Sequence, residues 1–172
     1  MSFRKLDKSF DWNDVYYDYT KLSNKQIACI FFYQIIGYQP NADGTKCTTY
    51  KIGFGIGKSR KQIFKNFIGH NNHFGHFMYL NSTGHCGLEG LLWAKNKILE
   101  FEKWIIANST DHIQIFVGAD DERRLRVYKR GLLKSGYEVH FNGYQLVKYL
   151  ENPNAKRDPG VADIYKIAHA TI

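Results

Sequence analysis

The chain has 172 residues, the size of one globular domain, and its 44% hydrophobic and 16% aromatic side chains exclude a disordered or low-complexity polymer. Its 15 Gly and 3 Pro exclude a collagen-like repeat, and three widely separated cysteines, Cys29, Cys47 and Cys86, fit reduced thiols rather than a disulfide framework. With 24 Lys and Arg against 16 Asp and Glu the formal charge is +8, which invites a polyanion: DNA, RNA, a phosphorylated cofactor or an acidic substrate.

In chain order, SFDWNDVYYDYTKLS over 9–23 reads as a helix capped by Ser9 or Asp11. The apolar run 26–38 reads as a buried strand, and CTTYKIGFGI resumes strand character after the turn cluster PNADGTK, which predicts an antiparallel hairpin. A short amphipathic helix carrying Ile63, Phe64 and Phe67 follows, then a polar loop of His, Asn and Gly, then a short strand over 77–80. Apolar residues at three-and-four spacing from Leu88 to Ile106 predict a helix over 87–108. HIQIFVG over 112–118 is a strand, and Asp120 or Asp121 caps a helix that runs to about Lys134 and stops at Gly136. Strands at 138–141 and 144–150 flank Asn142-Gly143, a strong hairpin turn.

With no linker and no repeat, 1–172 is expected to be a single domain, with its core over about 9–150 and 151–172 as a surface tail. The order predicts an α/β mixed sheet, antiparallel in its N-terminal half and flanked by helices. The helix at 87–108 would join a parallel pair made by the strands at 77–80 and 112–118. The N-terminus, MSFRKLDKSFDWND, lacks the apolar segment of a signal peptide, and the apolar run from Ile27 to Phe32 is far short of a membrane span. The expectation is a cytoplasmic protein with no membrane partner.

Three constellations point to chemistry. Glycines 84, 87 and 90 sit where a strand is expected to hand over to a helix, a place where free backbone N–H groups hold phosphate and glycine lets a ligand approach. In the second, IQIFVGADDERRLRVYKRGLLKSGYEV, an acidic cap leads into a helix carrying Val127-Tyr128, and Gly136-Tyr137 opens a strand. This segment resembles the GNAT superfamily of N-acetyltransferases, with Asp121 at the family's usual Asn position, Val127-Tyr128 at its Leu-Tyr and Gly136-Tyr137 at its Gly-Phe. The resemblance spans about residues 26–150 and implies a GNAT-like fold that binds acetyl-CoA or another acyl-CoA and passes the acyl group to an amine on a small molecule, protein or nucleic acid. It implies a pyrophosphate-binding turn drawn from Gly84, His85, Cys86, Gly87, Leu88 and Gly90, with Asp121 beside the cofactor. It also implies Tyr128 as the acid that protonates the leaving thiolate, a role open to a phenol of pKa about 10. Lys58, Arg60, Arg123 and Arg124 are candidate polyanion contacts, with nucleic acid among the candidate partners.

The third constellation, TYKIGFGIGKSRKQIF, carries other readings. Gly53 to Ser59 resembles a phosphate-binding P-loop one residue short. Tyr33, Tyr50, Gly53 and Arg60, with Glu89 or Glu100 for a divalent metal, resemble a GIY-YIG nuclease. A non-catalytic domain binding nucleic acid or protein is a further alternative. His70, His73, His76 and His85 read as surface loop residues, and no metal site is expected.

Overall fold

The computed structural model describes residues 2–6, 14–35, 39–40, 43–69, 88–118, 122–141 and 143–157. Strands β1 (Arg4–Lys5), β2 (Val15–Lys21), β3 (Ile27–Gln34), β4 (Gln39–Pro40) and β5 (Lys46–Gly57) come first. Helices α1 (Arg60–Gly69) and α2 (Glu89–Asn108) follow, then β6 (His112–Gly118), α3 (Glu122–Leu132), β7 (Glu138–Val139) and β8 (Gln145–Leu150). One mixed sheet runs β1-β2-β3-β5-β6-β8-β7, with β4 paired to β5. Among the described residues every pairing is antiparallel except β5 with β6. The α/β class and the antiparallel N-terminal half follow the expectation.

Two expectations are corrected. The helix over 9–23 is a strand where it is described. Val15, Tyr17 and Tyr19 pack on one face of the sheet and Tyr16 on the other, so VYYDYTK follows the two-residue period of a pleat lined with β-branched and aromatic side chains. The parallel partner of 112–118 is β5, not 77–80. Both edges of β6 are taken, by β5 over Cys47–Ile52 and by β8 over Gln145–Leu150. Residues 77–80 themselves lie outside the described residues.

The sheet buries both faces. On one, α2 and α3 cover Ile30, Phe32, Tyr50, Ile113, Ile115, Val117 and Leu146. Phe101 of α2 is fully buried there, stacked on Phe32 at 3.9 Å and edge-on to Phe3 and Tyr50. The α2 stripe that meets the sheet is Gly90, Ala94, Ile98, Phe101 and Ile105, and it leaves Leu88 and Leu92 exposed. On the other face α1 lays Ile63, Phe64 and Phe67 over Cys29, Phe31 and Tyr33. Ser59 caps α1 by accepting from the Gln62 N–H, and the Gln62 side chain accepts in return from the Lys58 N–H.

The segment expected as a tail is tied in where it is described. Asn152 is buried: its side chain donates to the carbonyls of Ser109 and Asp111, and its N–H donates to His112 Nδ1. Beyond it, Arg157 bridges to Thr45. Among the described residues no helix is long and apolar enough to cross a membrane.

Candidate functional site

The site is built at the end of the parallel β5–β6 pair. The β5–β6 ladder stops at Ile52 opposite Val117, yet β5 continues to Gly57, held on its other side by β3 from Phe31 opposite Gly53 to Ile27 opposite Gly57. Beyond Ile52 the β6-facing edge of β5 therefore meets no strand among the described residues. Successive residues of a strand direct their N–H and C=O groups to alternate edges, so every second residue of 53–57 presents donor and acceptor to this opening.

The glycines of KIGFGIG explain why β5 can run here. Gly53, Gly55 and Gly57 lie opposite Phe31, Cys29 and Ile27, on the face that α1 covers. A Cβ on Gly57 would stand 3.0 Å from Ile63 Cγ1, so the helix sits close against the strand. The stretch is extended and paired, which removes the loop that a P-loop needs.

The N-terminus of α2 abuts the same end of β5. Gly90 is buried, and a Cβ there would lie 2.7 Å from Ile56 Cδ1 and 3.5 Å from Phe54 Cζ. Leu88 occupies the cap position with no side-chain hydrogen bond to the helix, so among the described residues no capping side chain occupies the first-turn N–H groups. Glu89 anchors the turn before β3: its carboxylate accepts from Ser23 Oγ at 2.6 Å and from the Ser23 N–H. The same end of the sheet also carries the start of α3 and, because Gly118 pairs with Gln145, the β7–β8 turn with Phe141 94% exposed.

Of the residues expected at the site, Leu88 and Gly90 are placed at this opening. Lys58 follows Gly57 directly and is exposed. Tyr128 lies in α3, half-buried and packed against the core. Arg123 and Arg124 belong to α3, with side chains outside the described residues, as are Gly84, His85, Cys86, Gly87 and Asp121. Gly136 ends the helical segment in the left-handed region at φ +86°, as a glycine stop requires. Tyr137 after it is buried, and burial, reinforced by the nearby Glu102 carboxylate, pushes its phenol well up.

The nuclease constellation is not brought together. Tyr33 faces α1 and Tyr50 faces α2, on opposite sides of the sheet, and both are buried. Burial raises the Tyr33 phenol to about 12 and that of Tyr50 further. Arg60 lies over the Tyr19 ring at 4.9 Å, Glu89 holds Ser23, and Glu100 pairs with Lys97 at 2.7 Å. Among the described residues no group of three or more His, Cys, Asp or Glu is placed to hold a metal ion; His70, His73, His76 and His85 lie outside them.

Helical periodicity concealed two buried charges. Lys97 of α2 reaches Asp18 of β2 at 3.0 Å as well as Glu100; burial works against its charge, but these hydrogen bonds outweigh it and the ammonium is held above its ordinary value. Glu102 takes Lys148 of β8 at 2.6 Å. Both sit at positions where an alternating pattern reads only "helix". No family model, curated protein or solved structure matches the chain.

Proposed function

We propose that the chain is a GNAT-like N-acyltransferase that takes an acyl group from acetyl-CoA or another acyl-CoA and passes it to an amine. One observation carries the reading: at the end of the parallel β5–β6 pair, β5 outruns its partner beside a helix N-terminus that no described side chain caps. Apart from α1, which stands between β5 and α2, the order of antiparallel strands, helix, parallel strand, helix and antiparallel strands is the one expected of a GNAT-like fold.

The residues present suit such a ligand. The open edge of 53–57 offers an extended carrier arm alternate backbone donors and acceptors, as a further strand would find them. The α2 first turn, Leu88 to Gly90, offers N–H groups and the positive end of the helix dipole to a pyrophosphate. In the transfer the amine nitrogen bonds to the thioester carbonyl carbon, the carbon–sulfur bond breaks, the nitrogen gives up a proton and the thiolate gains one. A β5 amide on the open edge stabilises charge on the carbonyl oxygen, and the Tyr128 hydroxyl supplies the proton to sulfur.

Calorimetry with acetyl-CoA tests this. Saturable one-to-one binding is expected, and Tyr128→Phe is expected to keep that binding while losing about 100-fold in turnover with a responsive amine. Absence of heat at high micromolar ligand would remove the reading and leave the fold untouched.

A further inference from the structure

The face of the sheet away from α2 and α3 carries a second feature that the transfer reaction does not use. From Gly44 to Leu88 the sequence has no Asp or Glu, yet it holds Lys46, Lys51, Lys58, Arg60, Lys61 and Lys65. Four of these lie on or just before α1, and Lys58, Arg60, Lys61 and Lys65 are all exposed. Lys58, Arg60, Lys61 and Lys65 form no ion pair with a carboxylate among the described residues. Ile63, Phe64 and Phe67 turn into the sheet, so Lys61 and Lys65, one helical turn apart, project from the opposite side. Arg60 instead reaches down to the Tyr19 ring at 4.9 Å, where Arg4 from the edge strand, itself paired with Asp18 at 2.9 Å, approaches the same ring at 4.6 Å. Lys21, two residues along β2, extends the row.

Exposed cations without partners repel one another, and a row of them is relieved by a polyanion. We infer that α1 and the adjoining end of β2 form a docking face for the phosphate backbone of duplex nucleic acid. A duplex fits better than a single strand because single-strand binding needs exposed rings for base stacking. Among the described residues the exposed rings, Phe141, Tyr144 and Tyr149, belong to β8 and its turn with β7, and Tyr19 is already engaged by two guanidiniums. A convex helix with lysines one turn apart suits a backbone that presents one charge per roughly 1.7 Å of axis, with no sequence preference. The basic residues of α3 compete less well: the helix begins with Glu122, which pairs with Arg126 at 3.6 Å.

The test is fluorescence anisotropy of the full chain on a labelled duplex DNA over a series of salt concentrations. Four phosphate contacts predict that log K falls against log salt with a slope of about −3 to −4. Lys61→Glu/Lys65→Glu should flatten the slope by about two and weaken low-salt binding at least tenfold. Lys103→Glu/Lys134→Glu, the same charge change on exposed sites of the other face, should leave the slope within about half a unit. Circular dichroism and the urea midpoint monitor folding, and Lys61→Gln/Lys65→Gln supplies a milder variant with a flattening in the same direction. Equal losses in both reversed variants would reduce the effect to net charge and overturn the proposal. So would binding only to single strands, only to an acidic protein or only to anionic vesicles, or no duplex binding at all. Acetyl-CoA binding in Lys61→Glu/Lys65→Glu is expected to be unchanged, which separates this face from the proposed acyltransferase site.

Discussion

Gly90 shows how one residue can carry two messages. In the sequence it belongs to a run of glycines suited to phosphate approach; in the fold it is also where α2 touches the end of β5. A methyl group there would stand 2.7 Å from Ile56 Cδ1, and Ile56 is itself packed against Leu22 and Ala28. Gly90→Ala should therefore lose about 1–2 kcal/mol, the strain of overpacking exceeding the gain of roughly 1 kcal/mol that alanine brings to a helix. The urea midpoint measures it at constant m-value, and a raised midpoint would mean that Ile56 gives way without cost. The glycine was legible as a place of close approach, but its neighbour was not, because Ile56 is distant in sequence and meets it only through the crossover.

At the level of elements, legibility followed buried periodicity. The strands β3 and β6 are almost continuously apolar or strictly alternating, and α2 repeats apolar residues over twenty positions, so each declares its type. The β2 segment does not: tyrosines lie on both of its faces, and its polar residues fit a helix as readily as a half-buried strand. Pairing was harder still. Joining β5 to β6 spans α1, α2 and the chain between them, and nothing local to either strand names the other. The junction of α2 with β6 depends on Asn152, which reads as part of a polar tail because its acceptors are main-chain carbonyls that leave no mark on the sequence. Asn152→Ala strips those buried carbonyls of their donors and should cost about 1–3 kcal/mol, seen as a drop of several degrees in Tm. A Tm unchanged within a degree would show that this corner is held by something other than the asparagine.

For the molecule as a whole, burial on both sheet faces has a pH consequence. Burial, then the Asp14 carboxylate, raises the Tyr16 phenol to about 12; burial alone raises that of Tyr33 to about 12; burial, offset in part by Arg60, raises the Cys29 thiol to about 12. Unfolded, these groups ionise near 10, 10 and 9. Below about pH 9 they are protonated in both states and their contribution to stability is complete. As pH climbs from 9 toward 12 the unfolded chain ionises first and stability falls. Urea midpoints should be level from pH 7 to 8.5 and lower at pH 10; a midpoint level through pH 10.5 would contradict the burial of these three side chains. The excess positive charge divides between the two sides of the sheet, with α3 on the face proposed for acyl transfer and α1 on the other. Whether the open edge of β5 receives the acyl carrier is read by amide hydrogen exchange followed by NMR with and without acetyl-CoA. Slowed exchange is expected at every second amide of 53–57 and at 89–91, with α1 unaffected. Exchange unchanged at both of these stretches under saturating ligand would contradict it.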